Sequence, residues 1–331
     1  MLLRLFKRPP PPAAPVVPPV GDGGRTEALL RQLEWTVIRR LDGLLQGDHR
    51  TLLRGTGLDL ADLREYQHHD DVRHIDWNVT ARLQTPHVRV FTEDREMAAW
   101  FLLDLSPSVD FGSGSQRKRE LLQGFVGVLA RLVSRHGNRV GAMLYGQRAA
   151  AVDAVLPARG GRTQVLRLMQ LVGAPSVAGT AGPTRLADLL QRAALSLRQR
   201  STVFVVSDFI SEPGWERPLG ELARRHDVVA VRLLDPLERG WPDLGLIPVR
   251  DAETGEQLMV DTHDRIFRER FARLAAEREG RLRACLAHAG VDALELATDD
   301  NLFEAVRRFV DLRRQRLGLR RGAVARAGGA T

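Results

Sequence analysis

At 331 residues with 44% hydrophobic side chains, the chain can build one large domain with appendages or two smaller ones. Its 49 Lys and Arg exceed its 41 Asp and Glu for a net charge of +8, yet only 5% of residues are aromatic and no aromatic strand of the RNA-binding type occurs, which argues against nucleic acid as a partner. A single cysteine, Cys285, excludes an internal disulfide, and no apolar run approaches the ~18–20 residues of a membrane helix, so a cytoplasmic protein without a membrane span is expected.

Residues 1–24 form a Pro-rich lead expected to be disordered. Leu29, Leu30, Leu33, Val37, Ile38, Leu41 and Leu44 fall on one stripe and predict a helix over 25–47. The stretch up to residue 98 is polar, rich in His, Asp and Arg, with short strand candidates such as His87–Phe91. From Trp100 the pattern alternates. WFLLDL reads as a strand, QRKRELLQGFVGVLARLVSRHG as a helix stopped by Gly137, RVGAMLYG as a strand, and AAAVDAVLPA as its neighbour. RTQVLRLMQLV and TRLADLLQRAALSLRQ read as helices, STVFVVSDF as a strand, WERPLGELARRH as a helix and DVVAVRLLD as a strand. A long helix from His263, the strand VDALELAT, a last helix from Asn301 and an arginine-rich tail complete the chain. Four segments follow: 1–24, 25–98, 99–299 and 300–331.

Continuous Val/Leu/Phe strands alternating with amphipathic helices predict an α/β fold, a doubly wound and mostly parallel sheet with helices on both faces. Sites in such sheets form beyond the carboxyl ends of the strands. Asp104, Ser106 and Ser108 follow the first strand, and Ser207-Asp208 follow TVFVV. The loop Gly179–Thr184 can complete the same rim; Thr184 is preferred over Thr180 because it directly precedes a helix. Two carboxylates with three hydroxyls suit a hard cation, Mg²⁺ or Mn²⁺, which takes oxygen ligands and keeps several waters. If the segment stays extended, Ser106 and Ser108 point the same way as Asp104. The competing reading is a structural turn, with Ser113 or Ser115 capping the next helix.

Asp104, Ser106, Ser108, Thr184 and Asp208 resemble the metal-ion-dependent adhesion site of von Willebrand factor A domains: Asp-x-Ser-x-Ser, a distant Thr and a distant Asp. The resemblance implies Mg²⁺ on the hydroxyls, aspartates acting partly through water, and an open position for a partner's carboxylate. Upstream, Asp70, Asp71, Arg73, Ile75, Asp76, Trp77, Ala81, Arg82, Glu93, Asp94 and Arg95 match the signature of the DUF58 family, which runs into the same Asp-x-Ser-x-Ser motif. The chain departs from it at His68-His69, where Pro-Gly is usual, and at Val109, where Met is usual. Genes of this family commonly accompany those of MoxR-type AAA+ ATPases. The likeness therefore implies a von Willebrand factor A-like domain that acts with such an ATPase, or binds its client through an acidic residue, in a chaperone-like or maturation system.

Asp76, Trp77 and Arg82 are expected to form an ion-pair and packing knot under the domain, with a docking face as the alternative reading. His68, His69 and His74 have no standard zinc spacing. Ser115-x-x-Lys118 matches a penicillin-binding-protein motif whose companions are missing. No Gly-x-Ser-x-Gly or phosphate-cradling Gly-Lys loop occurs. The chain is read as a non-enzyme. The rival enzyme would be a phosphatase with Asp104 as nucleophile, but Ser106 stands where haloacid-type phosphatases carry their acid. The rival binder is an arginine-driven nucleic-acid protein.

Overall fold

The structure, a computed structural model, describes residues 23–33, 57–67, 70–94, 98–146, 152–174, 184–250 and 256–311. In chain order the elements are α1 (Gly23–Leu33), β1 (Gly57–Glu65), α2 (Trp77–Leu83), β2 (His87–Asp94), β3 (Ala98–Asp104), α3 (Lys118–Arg135), β4 (Arg139–Tyr145), β5 (Ala154–Arg159), α4 (Arg162–Gly173), α5 (Leu186–Ser196) and β6 (Thr202–Ser207). There follow α6 (Glu216–Arg225), β7 (Asp227–Leu234), β8 (Leu246–Arg250), β9 (Gln257–Asp261), α7 (Arg265–His288), β10 (Asp292–Ala297) and a last helix, α8, over 302–311.

Six strands form the central sheet in the order β10-β7-β6-β3-β4-β5. All neighbours pair in parallel except β5, which runs antiparallel to β4 on the edge. The two central strands are buried almost throughout, as their unbroken apolar runs require. Alternation divides their side chains between two cores. Phe101, Leu103, Phe204 and Val206 face α1, α3, α4 and α8, while Leu102, Val203 and Val205 face α5, α6 and the C-terminal end of α7. Phe101 stacks on Phe204 with ring centroids 5.3 Å apart, fixing the β3–β6 register on the first face. This is a von Willebrand factor A-like fold.

Several expected elements differ in detail. Residues 34–47 of the expected first helix lie outside the described residues. The stop of α3 at Gly137 is as expected: His136 is the C-cap and Gly137 takes a φ of 77°. The chain turns immediately after Leu105, because Pro107 opens a 3-10 turn over Pro107–Asp110; the expectation of an extended Asp104–Ser108 segment is corrected. Neither Ser113 nor Ser115 caps α3. Its N-cap residue is Arg117, whose N–H donates to Glu120. The antiparallel β8–β9 hairpin has no counterpart in the sequence reading.

The packing expected of Trp77 in the knot with Asp76 and Arg82 is also corrected. Asp76 is buried and caps α2, accepting from the N–H groups of Asn78 and Val79 at 3.0 and 3.2 Å. Trp77, as the first residue of a seven-residue helix with no buried side chain, points outward and is 70% exposed, and Arg82 is exposed too.

Candidate metal and docking site

Asp104 is the last residue of β3, at the carboxyl rim of the sheet, and it is fully buried. Its Oδ1 accepts from the Ser106 N–H at 3.0 Å, and its Oδ2 accepts from the Ser207 hydroxyl at 2.7 Å. The 3-10 turn brings the Ser106 and Ser108 hydroxyls to 3.1 Å from each other, although the segment is not extended. Gly146 makes this fold of the loop possible. Its φ is 92°, and a Cβ there would lie 2.6 Å from the Ser106 nitrogen.

Thr184 is buried near the start of α5. Its carbonyl accepts from the Ser211 hydroxyl and the Glu212 N–H, which ties it to the loop after β6. The next N–H, of Arg185, donates to the Tyr145 hydroxyl at 2.7 Å, and Tyr145 pairs with Asp104 across β3–β4. Asp208 is buried one residue beyond β6. Phe209 takes a φ of 58°, uncommon for a bulky residue, and its N–H donates to the Ser207 hydroxyl. The chain thereby reverses directly after Asp208.

Burial, reinforced by the nearby Asp208 charge, pushes the Asp104 carboxyl up to about 6, against the pull of its hydrogen bonds from Ser207 and Ser106. A cation would relieve both causes. Among the described residues no group of three or more His, Cys, Asp or Glu is arranged to hold a metal. The donor set at the rim is instead two carboxylates with hydroxyls, and this fits Mg²⁺ or Mn²⁺ better than a softer ion.

Sequence reasoning placed Ser207 on the rim without a role and missed Lys118 and Asp235. The Ser207 hydroxyl bonds Asp104 from the neighbouring strand. Lys118 is wholly buried and donates to Asp208 Oδ2 at 2.7 Å and Glu238 Oε1 at 2.6 Å. Burial disfavours its charge, but the two carboxylates outweigh that and hold its pKa above the ordinary lysine range. The available signal was a lone lysine: apart from Lys7 at the terminus, every other cationic side chain is arginine. Asp235, also fully buried, clasps the surroundings by accepting from Ser113 N–H and Oγ at 2.8 and 2.6 Å and from Thr298 Oγ1 at 2.8 Å.

Of the upstream signature, Asp70 takes both Arg64 guanidinium nitrogens at 2.8 and 2.7 Å, and that pairing holds its carboxyl below the usual carboxylate range. Asp71 accepts from the Arg73 N–H. Glu93 and Asp94 pair through their backbones with Leu58 and Gly57 in the β1–β2 ladder. Arg95, His68, His69 and Thr180 lie outside the described residues.

A family model described as "Protein of unknown function DUF58" matches residues 62–281. The uncharacterized protein Rv1480 of Mycobacterium tuberculosis (strain ATCC 25618 / H37Rv) is 38% identical over 299 residues, covering 89% of this chain and 92% of that one. Among solved structures, an aerotolerance-related membrane protein from Bacteroides fragilis NCTC 9343 aligns with a TM-score of 0.42 at 15% identity, over 66% of this chain and 99% of that one. The SpRpn10 VWA domain aligns with a TM-score of 0.37 at 14% identity, over 64% and 94%. The strand order and the antiparallel edge strand define the fold independently of these scores.

Proposed function

The chain belongs to the DUF58 family, and on that premise we propose that it is a cation-dependent protein-docking module, without catalysis of its own, that works with a separate MoxR-type AAA+ ATPase or its client. The observation that carries this reading is the buried cluster at the rim, where the Ser106 and Ser108 hydroxyls converge beside an Asp104 that burial and a like charge make reluctant to ionise. Ser106, Ser108 and Thr184 would offer neutral oxygens, Asp104 and Asp208 charge. A Mg²⁺ or Mn²⁺ ion held there supplies an electrophilic centre for a partner's carboxylate. Arg185, more than half exposed and paired with Glu212, lies beside Thr184 where it can steer an acidic partner.

The docking reading is favoured over the phosphatase. Both Asp104 oxygens are engaged by donors, and neither Ser106 nor Ser108 supplies an acid near neutral pH. Among the described residues no helix is long and apolar enough to cross a membrane.

Thermal unfolding with and without Mg²⁺ tests the metal. Saturation at about 100 times the dissociation constant should stabilise the fold by roughly 2.7 kcal/mol, with no such gain in Asp104→Ala. Pull-down from extract tests the partner. Capture of the ATPase or client should vanish in EDTA and in folded Ser106→Ala. Equal capture in all conditions would move docking away from the rim.

A further inference from the structure

Lys118 is the first residue of α3, where the helix dipole disfavours a cation, and it is fully buried. Its ammonium nevertheless sits between Asp208 at 2.7 Å and Glu238 at 2.6 Å. In a chain that otherwise relies on arginine, this position takes the compact ammonium, which fits between two carboxylates where a planar guanidinium fork would not. The other Asp208 oxygen, Oδ1, accepts from the Ile210 N–H at 3.0 Å. Both oxygens of Asp208 are therefore occupied by the protein itself.

We propose that Lys118 is a positioning residue that keeps Asp208 off the bound cation and so holds a coordination position open for a partner. This rests on the docking reading above. An Asp208 free to swing would ligate the cation directly, close its coordination shell, and turn a docking site into a structural one. Lys118 also sets the local charge. It offsets one of the negative charges that Asp104, Asp208 and Glu238 bring when ionised. Glu238 has the supporting part. It shares the ammonium, so Lys118 stays anchored when the cation draws on Asp208.

Mn²⁺ is the probe. Binding to the full-length chain is followed by electron paramagnetic resonance of free Mn²⁺, and water on the bound ion by the relaxation enhancement of solvent protons. Lys118→Met should bind Mn²⁺ about tenfold more tightly or better, with a lower enhancement per bound ion because Asp208 replaces a water. Structural damage alone would weaken binding instead. Lys118→Met/Glu238→Gln, which restores the charge balance and protects the fold, should tighten binding less and still show the lower enhancement. An unchanged enhancement in either folded variant overturns the proposal. If the wild type binds Mn²⁺ while Lys118→Met leaves both affinity and enhancement unaltered, only this inference falls. If the wild type binds no better than Asp104→Ala, the docking reading falls and takes this inference with it.

Discussion

The Ser207 hydroxyl donates to Asp104 Oδ2 at 2.7 Å, across two strands that are neighbours in the sheet and 103 residues apart in sequence. It thus supports the carboxylate from a side that the Asp-x-Ser-x-Ser segment cannot reach. Ser207→Ala should cost about 1–3 kcal/mol in metal-free urea unfolding at pH 7.5, because a buried acceptor loses its donor. The cost should shrink toward pH 5, where Asp104 is largely protonated and the bond is no longer charge-assisted. A pH-independent cost would show that Ser207 acts by packing alone.

The raised Asp104 carboxyl also sets a direction for pH dependence. Its value of about 6 lies above the ordinary 3.8, so the fold prefers the neutral acid. The resulting stability is fully present below the ordinary value and is lost as pH rises through about 6. Metal-free wild type should therefore lose stability between pH 5 and 7.5, on the order of 1 kcal/mol, and Mg²⁺ should recover it at the higher pH. Asp104→Asn should lack this dependence. Parallel profiles for the two proteins would assign the pH effect to other groups.

Trp77 and Asp76 separate what looks similar in sequence. With Trp77 70% exposed, Trp77→Ala should change stability by less than about 1 kcal/mol. Asp76→Ala, which removes the cap of α2, should cost about 1 kcal/mol. Urea midpoints rank the two. A loss of several kcal/mol at Trp77 would overturn the reading of its ring as solvent-facing.

Gly146→Ala should damage the site without touching a ligand. The added methyl meets the Ser106 backbone at 2.6 Å and must be held at a φ of 92°. A loss of roughly 2 kcal/mol or more is expected, together with weaker Mg²⁺ stabilisation. Unaltered Mg²⁺ stabilisation would mean that the Ser106 loop tolerates displacement.

The sheet was legible because fully buried parallel strands write themselves as unbroken apolar runs, and TVFVV and WFLLDL are two of these. Residues of the candidate site were legible where they are local, as in Asp104, Ser106 and Ser108, or where they stand at a strand end, as Asp208 does. Lys118 was not. Its partners are 90 and 120 residues away, and at the head of an amphipathic helix a lysine reads as solvated. Trp77 misled because a large aromatic in a polar segment suggests burial, while a helix of seven residues has too little surface to bury one. The β8–β9 hairpin stayed hidden because each strand has only five residues, all exposed or half-buried, and β8 is interrupted by Pro248.

The pairing of β3 with β6 closes a long route in the site, since Asp104 and Ser207 meet only when that central ladder zips. No isolated hairpin or helix pair contains both sides of the rim. A cation that needs both sides has nothing to hold until the non-local sheet is in place, late in a topology of this kind. Bound cation should therefore act as a latch on the finished molecule. It should slow unfolding while leaving the refolding rate of the metal-free chain almost untouched. In stopped-flow urea jumps the unfolding arm alone should move with Mg²⁺, so the metal would govern how long a folded copy lasts, not how quickly one is made.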